Sequence, residues 1–269
     1  MKHRLPLVVA VAVLAVAVPA STASARTTIS MSGSTSVAPL AAKLAKGYLK
    51  AHPGAATFRL AQGGSDVGVA DVAAGRVTIG NSSRDPKGTD PGGLVWNRIA
   101  RDAICIATNS SNPVSGLTQA QVQAIFSGSV RDWSQVPGSP KTGPIDIVVR
   151  TAASGTQDAF QKIFMGSAKV SSSAAQKASN GLVAQSIKSD PNAVGYVSLA
   201  FTKGLNDARY KGVACNLRNA KSGQYEGVRN FWMVTRGRPT GGALKFIRWI
   251  QRSRAAHAIT ATGWVPIRG

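Results

Sequence analysis

The sequence predicts an α/β protein, and three observations carry that prediction. A short β-branched strand, a Gly/Ser/Thr loop and a segment with helical apolar spacing recur as a unit along the chain. Beyond a leader-like start, about 240 of the 269 residues remain, enough for one large domain or for two lobes that each bury a core. No later apolar run is long enough to cross a bilayer as a helix.

The leader comes first in the chain. Lys2 and Arg4 precede an apolar run from Leu5 to Val18, and Ala23-Ser24-Ala25 supplies the small residues that a signal peptidase requires. Residues 1–25 are therefore expected to be a cleavable signal peptide, with the mature chain beginning near Arg26. A membrane anchor fits less well, because the run is short, contains Pro6 and ends at Pro19. No Cys stands at the cleavage point, so the expected product is secreted, extracellular or periplasmic, without a lipid anchor.

Three copies of the strand-loop-helix unit follow. Thr28 to Met31 leads into Gly33-Ser34-Thr35-Ser36 and a helix with Leu40, Leu44 and Tyr48 at four-residue spacing. Thr57 to Leu60 leads into Gly63-Gly64-Ser65-Asp66 and a helix over Val67 to Ala74, closed by Gly75. Ile145 to Val149 leads into Arg150 and Ser154-Gly155-Thr156, then a helix with Phe160, Ile163 and Phe164 on one face. Between the second and third copies, Leu117 to Phe126 opens with Thr118 and Gln121 in capping-box spacing and carries Val122, Ile125 and Phe126 as its apolar stripe. Gly195 to Leu199 reads as a buried strand. A final helix over Thr240 to Gln251 buries Leu244, Ile247 and Ile250 and turns Lys245, Arg248 and Arg252 outward. The Pro/Gly-rich stretch from Pro86 to Gly93 is expected to be a surface loop.

The formal net charge is +21, and removal of Lys2 and Arg4 with the leader leaves +19. The excess is skewed toward the C-terminal end, where Lys203 to Arg268 carries thirteen Lys/Arg against Asp207 and Glu226. Such a field attracts phosphate, anionic cell-wall polymers, membrane surfaces or nucleic acid. A generally basic solvated surface with no specific partner is the plainer explanation. Aromatic residues are sparse and do not interleave with the basic ones, which argues against specific nucleic-acid readout. Cys105 and Cys215 both lie in apolar segments that read as strands. They can pair in an oxidising compartment or stay as two buried thiols.

The loops carry the chemistry. A multi-oxygen anion needs many convergent donors, and helix N-termini with Ser/Thr hydroxyls supply them, because first-turn N–H groups lack partners and the helix dipole is positive there. One such loop is an ordinary N-cap. Three loops, together with Arg150 placed four residues before Ser154, point to an oxyanion pocket in which the guanidinium is a planar, permanently charged fork.

At these residues the chain resembles a family. Gly33 to Pro39, Gln62-Gly63-Gly64-Ser65, Gly80 to Asp85, and Arg150 with Ser154 to Phe160 resemble, in order and spacing, the phosphate-binding proteins of ABC phosphate transporters. Further matches are Ala100 to Ile104, Asn112-Pro113-Val114, Leu117-Thr118 with Ile125 to Gly128, Trp133, and Gly195-Tyr196. The resemblance implies a type II periplasmic-binding-protein fold: mixed sheets flanked by helices in two lobes, with the ligand cleft between them. It implies a first lobe over residues 26–104, a second over 105–195, and a return over 196–269 ending in the basic C-terminal region. The implied ligand is inorganic phosphate and the implied partner an ABC permease, with no cofactor and a monomeric chain.

Carried across residue by residue, the resemblance assigns ligand contacts to Thr35, Ser36, Ser65, Ser83, Arg150, Ser154, Gly155 and Thr156, with Ser82 in the same loop as Ser83. One well-known version of the pattern has an Asp that accepts the ligand proton; this chain has Ser83 there, which weakens strict discrimination of phosphate from sulfate. Asp66 or Asp85 is the alternative acceptor, although Asp66 also suits a helix start and Asp85 also suits pairing with Arg84. Ala153 stands where Gly is usual before Ser154, a change of little consequence unless that position needs positive φ.

Other readings are weaker. A hydrolase finds Ser65 and Ser154 in Gly-flanked loops. Only His52 and His257 remain as imidazole bases, however, and no Gly-x-Ser-x-Gly elbow is present, so no enzyme is expected. Two separated His and two strand Cys give no metal-ligand spacing. Two non-enzymatic alternatives stand: another tetrahedral oxyanion in the same pocket, or an extracellular surface-retention protein that uses its basic C-terminal third on anionic polymer.

Overall fold

The computed structural model describes residues 26–267; the expected signal peptide lies outside the described residues. The first half of the chain runs β1 (Thr27–Gly33), α1 (Ala38–Ala51), β2 (Ala56–Leu60), α2 (Ser65–Ala73), β3 (Ile79–Ser82), the long β4 (Leu94–Thr108), β5 (Gly116–Leu117) and α3 (Gln119–Ser127). The second runs β6 (Asp146–Arg150), α4 (Gly155–Phe160), β7 (Ala175–Lys177), α5 (Asn180–Ser189), β8 (Ala193–Ser198), β9 (Asn206–Tyr210) and α6 (Leu217–Ser222). It closes with β10 (Val228–Arg236), α7 (Gly241–Arg252), α8 (Arg254–Thr260) and β11 (Val265–Pro266). The three strand-loop-helix units stand where the apolar spacing puts them, and Thr118 and Gln121 form the reciprocal capping box that starts α3.

One strand organises the whole molecule. The first part of β4 pairs antiparallel with β10 in a sheet of order β2-β1-β3-β10-β4, and its last five residues pair with β8 in a second sheet that continues through β6 to β7. In the first sheet β1 runs parallel to β2 and β3, as strand-helix-strand crossovers require. Each sheet buries its own core. Ile29, Leu40, Leu44, Phe231 and Phe246 belong to the first; Ile106, Phe126, Phe160, Tyr196 and Tyr210 belong to the second.

The chain therefore passes between cores twice, once within β4 near Ala103 and once on entering β10 near Val228. The expected return at residue 196 comes too early. Tyr196 lies within the second core, β9 pairs with the end of β4, and Tyr225 is still in the second core. The reason is local: β8 reads as a generic buried strand, and only its pairing partner decides which sheet it joins.

Cys105 and Cys215 form a disulfide, with Cα atoms 5.5 Å apart. The segment before Cys215 is not a strand; Tyr210 and Val213 make one isolated bridge, and Cys215 lies in the loop that enters α6. The bond ties that loop to β4 within the second core.

Candidate functional site

Four helix N-termini meet where the two cores face each other. The turn Ser34 to Val37 leads into α1, and the Ser34 hydroxyl accepts from the N–H groups of Ser36 (3.2 Å) and Val37 (3.4 Å). Ser65 is the first residue of α2, and its hydroxyl accepts from the Ser83 N–H at 3.0 Å. The Ser154 side chain caps α4 by accepting from Thr156 and Gln157 N–H. The fourth N-terminus is that of α5, where Asn180 follows the capping Ser179.

Contacts across the cleft join them. Arg150 Nη1 donates to Thr35 Oγ1 at 3.1 Å, and Asn180 Nδ2 donates to Thr35 Oγ1 (2.9 Å) and Ser36 Oγ (2.8 Å). Ser36 Oγ and Thr156 Oγ1 share a hydrogen bond of 3.0 Å. Ser34 Oγ donates to Ser83 Oγ at 2.8 Å. Gly155 sits so close to the opposite wall that a Cβ there would collide with Ser65 Oγ and lie 2.8 Å from Arg84 N and Ser83 Oγ. The Asp66 N–H donates to Ala153 O at 3.1 Å, and Lys87 Nζ lies 3.1 Å from Asp158. Thr35, Ser36, Ser65, Ser83, Arg150, Ser154 and Thr156 are all buried.

Two guanidinium groups are buried here. Arg150 is anchored by Nε to Lys177 O (3.1 Å) and by Nη2 to Ala178 O (2.7 Å), and its own N–H donates to the Tyr196 hydroxyl. Among the described residues, no carboxylate lies within ion-pair distance of it. Burial, reinforced by the nearby Arg229, pushes its pKa down to about 10, while Tyr196 opposes the shift. Arg229 pairs with Asp102 at 2.8 Å and donates to Ser36 Oγ at 2.9 Å. Its Nη1 is buried without a partner. Burial pushes the Asp102 carboxyl up and the Arg229 guanidinium down, and their mutual attraction opposes both. Ser198 Oγ donates to the other Asp102 oxygen at 2.8 Å.

The eight sequence-predicted residues thus come together, although the Ser154 hydroxyl is spent on its own helix. Ser82 turns away and bonds locally with Arg84 N and O. Neither acceptor candidate faces the cluster. Asp66 binds Arg84 Nε at 2.6 Å, and Asp85 accepts from Asn230 and Trp232. Arg84 takes Asp90 rather than the Asp85 carboxylate as its second acidic partner.

Asn180 and Arg229 are site residues that the sequence does not mark, and Ser34 lies in the first predicted loop without having been assigned a contact of its own. Arg229 had one signal: it alternates with Phe231 and Met233 on the face of β10 that is buried, and a charge on a core face demands a partner.

The sequence profile of the PBP superfamily domain matches residues 18–254. The chain belongs to the PBP superfamily. This member is 27% identical over 248 residues to the phosphate-binding protein PstS of Bacillus subtilis, covering 89% of this chain and 80% of that one. Among solved structures it is similar to a putative phosphate ABC transporter substrate-binding protein with bound phosphate from Clostridium perfringens. That likeness has a TM-score of 0.84 and 29% identity, covering 90% of this chain and all of the other. An ABC-type phosphate transport receptor from Vibrio cholerae is similar with a TM-score of 0.70 and 26% identity, covering 88% of this chain and 99% of that one. Mixed sheets flanked by helices in two lobes are the fold of the superfamily member described here.

Proposed function

We propose that this chain is a secreted solute-binding protein that captures inorganic phosphate between its lobes for ABC-type uptake, acting as a monomer and without catalysis. The observation that carries the reading is the pair of buried guanidinium groups: Arg229 is paired with Asp102 while Arg150 has no carboxylate among its partners, so the site holds an excess positive charge away from solvent. A buried anion offsets such a charge. Around it, hydroxyls and N–H groups at four helix N-termini provide convergent donors.

The roles follow from position. Arg150 Nη1 and the unpartnered Arg229 Nη1 supply the charged contacts. Thr35, Ser36, Ser65, Ser83 and Thr156 supply hydroxyls, and Gly155, the first residue of α4, supplies its N–H, the next two N–H groups being held by the Ser154 side chain. Both oxygens of Asp102 are engaged by Arg229 and Ser198, so a ligand proton falls to a serine or threonine hydroxyl. That predicts a smaller margin for phosphate over sulfate than a carboxylate acceptor provides. The net positive charge of the chain raises the encounter rate with anions.

Calorimetric titration with phosphate, sulfate, arsenate and molybdate tests the proposal. The expected result is phosphate binding with a Kd of about 1 μM or below, with sulfate weaker but measurable. Absence of heat with phosphate at millimolar concentration overturns it, and tighter binding of another oxyanion replaces phosphate as the ligand.

A further inference from the structure

The basic C-terminal region is not used by the interlobe site, apart from Arg229. Four of its exposed cations, Lys221, Lys245, Arg248 and Arg252, together with Arg98 and the partly exposed Arg101 of β4, line three successive hollows. Arg98, Arg101 and Lys221 line the first, of about 260 Å³, over Val265 to Ile267. Arg98, Ile267 and Arg252 line the second, of about 340 Å³. Arg252 with Arg248 and Lys245 lines the third, of about 520 Å³, beside Trp249. Consecutive hollows share Arg98 and Ile267, then Arg252, so they adjoin. Among the described residues, no carboxylate lines any of them. Among the described residues, none of these six cations is within ion-pair distance of an acid.

The fold holds this arrangement in place. Helix α7 buries Ala243, Phe246, Ile247 and Ile250, which turns Lys245, Arg248 and Arg252 outward at spacings of three and four residues. Like charges at those spacings repel, and Arg98 and Arg101 on β4 add to the same field. An external anion relieves that repulsion.

The form of the surface selects among anions. A single small oxyanion is held by buried, convergent donors, whereas these cations are mostly exposed and strung along connected hollows. A planar bilayer meets a flat or convex face, not cations set into concavities. Trp249 is the one indole at the groove, too few for a run of stacked bases. Arginine forks match phosphodiester oxygens. We infer that the three hollows form one docking groove for a linear polyol-phosphate polyanion, separate from the interlobe site.

The test uses the mature full chain and fluorescently labelled poly(glycerol phosphate) of about 20 repeats, followed by anisotropy across salt concentrations. With six cations engaged, log K should fall against log salt with a slope of about −4, taking about −0.7 per neutralised phosphate in a single-stranded polyanion. The Arg98→Glu/Arg252→Glu double variant removes the residues that join the hollows. It should lose at least about 30-fold in polymer affinity at low salt, while phosphate titration in the cleft stays within about twofold. Lys169→Glu/Lys203→Glu changes net charge equally at exposed sites outside the groove and should cost less than about threefold. Equal losses in the two double variants overturn the groove and leave a diffuse charge effect. Retention of full affinity in the first variant overturns it outright. Tighter arginine-dependent binding of an oligonucleotide, or of phosphatidylglycerol vesicles, assigns the surface to that class instead.

Discussion

Replacing Arg150 by methionine separates what this residue does for binding from what it costs the fold. Burial holds its guanidinium down at about 10, well below its ordinary value. At about 1.4 kcal/mol per pH unit, that corresponds to a penalty of about 3 kcal/mol for keeping it charged in the folded chain. A base whose folded pKa is depressed destabilises the fold at every pH below about 10, and the penalty fades only as pH rises above about 10 toward the guanidinium's ordinary value. Methionine removes the charge at similar length, but leaves Lys177 O and Ala178 O without their donor, at about 1 kcal/mol each.

The net expectation for the phosphate-free protein is a gain of about 1 kcal/mol, or a melting temperature about 2–4 °C higher for a chain of this size. Phosphate binding should move the opposite way. Loss of one or two charge-assisted contacts, together with the field of a buried cation, removes about 3–4 kcal/mol, which is about 100- to 1,000-fold in Kd. Scanning calorimetry without phosphate and isothermal titration with it measure both quantities on one preparation. A variant that binds phosphate within tenfold of the parent, or that melts lower without phosphate, refutes the reasoning.

Three further perturbations probe other parts of the structure. Gly155→Ala places a methyl against Ser65, Ser83 and Arg84 on the opposite wall of the cleft, so phosphate affinity should fall more than about tenfold, by about 1.4 kcal/mol or more. Isothermal titration measures this, and a full-affinity variant contradicts the close approach. Asp102→Asn leaves Arg229 buried without its counter-charge and should cost about 3–5 kcal/mol by urea denaturation. Asp102→Asn/Arg229→Met should recover most of that loss, and a double variant no better than the single one argues against a paired charge. Burial raises the Asp207 carboxyl to about 6, so its ionised form weakens the fold as pH rises from about 4 through 6. Asp207→Asn should therefore stabilise by about 2 kcal/mol at pH 7.5, after allowance for partial exposure, and by almost nothing at pH 3.5; equal stabilities at pH 7.5 contradict the assignment.

Local periodicity and loop chemistry carry much of this architecture. The Leu40–Leu44–Tyr48 spacing, the Thr118–Gln121 box and the Gly/Ser/Thr loops place helices and their N-termini because those signals act within a turn or two of the chain. Seven of the residues that converge in the cleft sit in the three Gly/Ser/Thr loops, at the helix starts that follow them or, for Arg150, at the end of the strand leading into one, whereas Ser83 follows β3 with no helix after it and was assigned only by the resemblance to phosphate-binding proteins. Chain-level charge likewise announced the basic C-terminal region.

The remainder depends on contacts between residues far apart in sequence, which no local pattern encodes. Arg229 reaches Ser36 across 193 positions and Asn180 reaches it across 144, so neither was marked as a site residue. Whether β8 joined the first or the second sheet turned on its pairing with β4 and β6. Cys105 and Cys215 left pairing open until the loop before α6 was brought against β4. The acidic side chains show the same division. Sequence offered Asp66 and Asp85 as proton acceptors, but tertiary packing committed them to Arg84, Asn230 and Trp232 and buried Asp102 behind Arg229 instead. Propensity acts between neighbours along the chain, whereas a binding site depends on which distant neighbours the two cores bring within hydrogen-bonding distance.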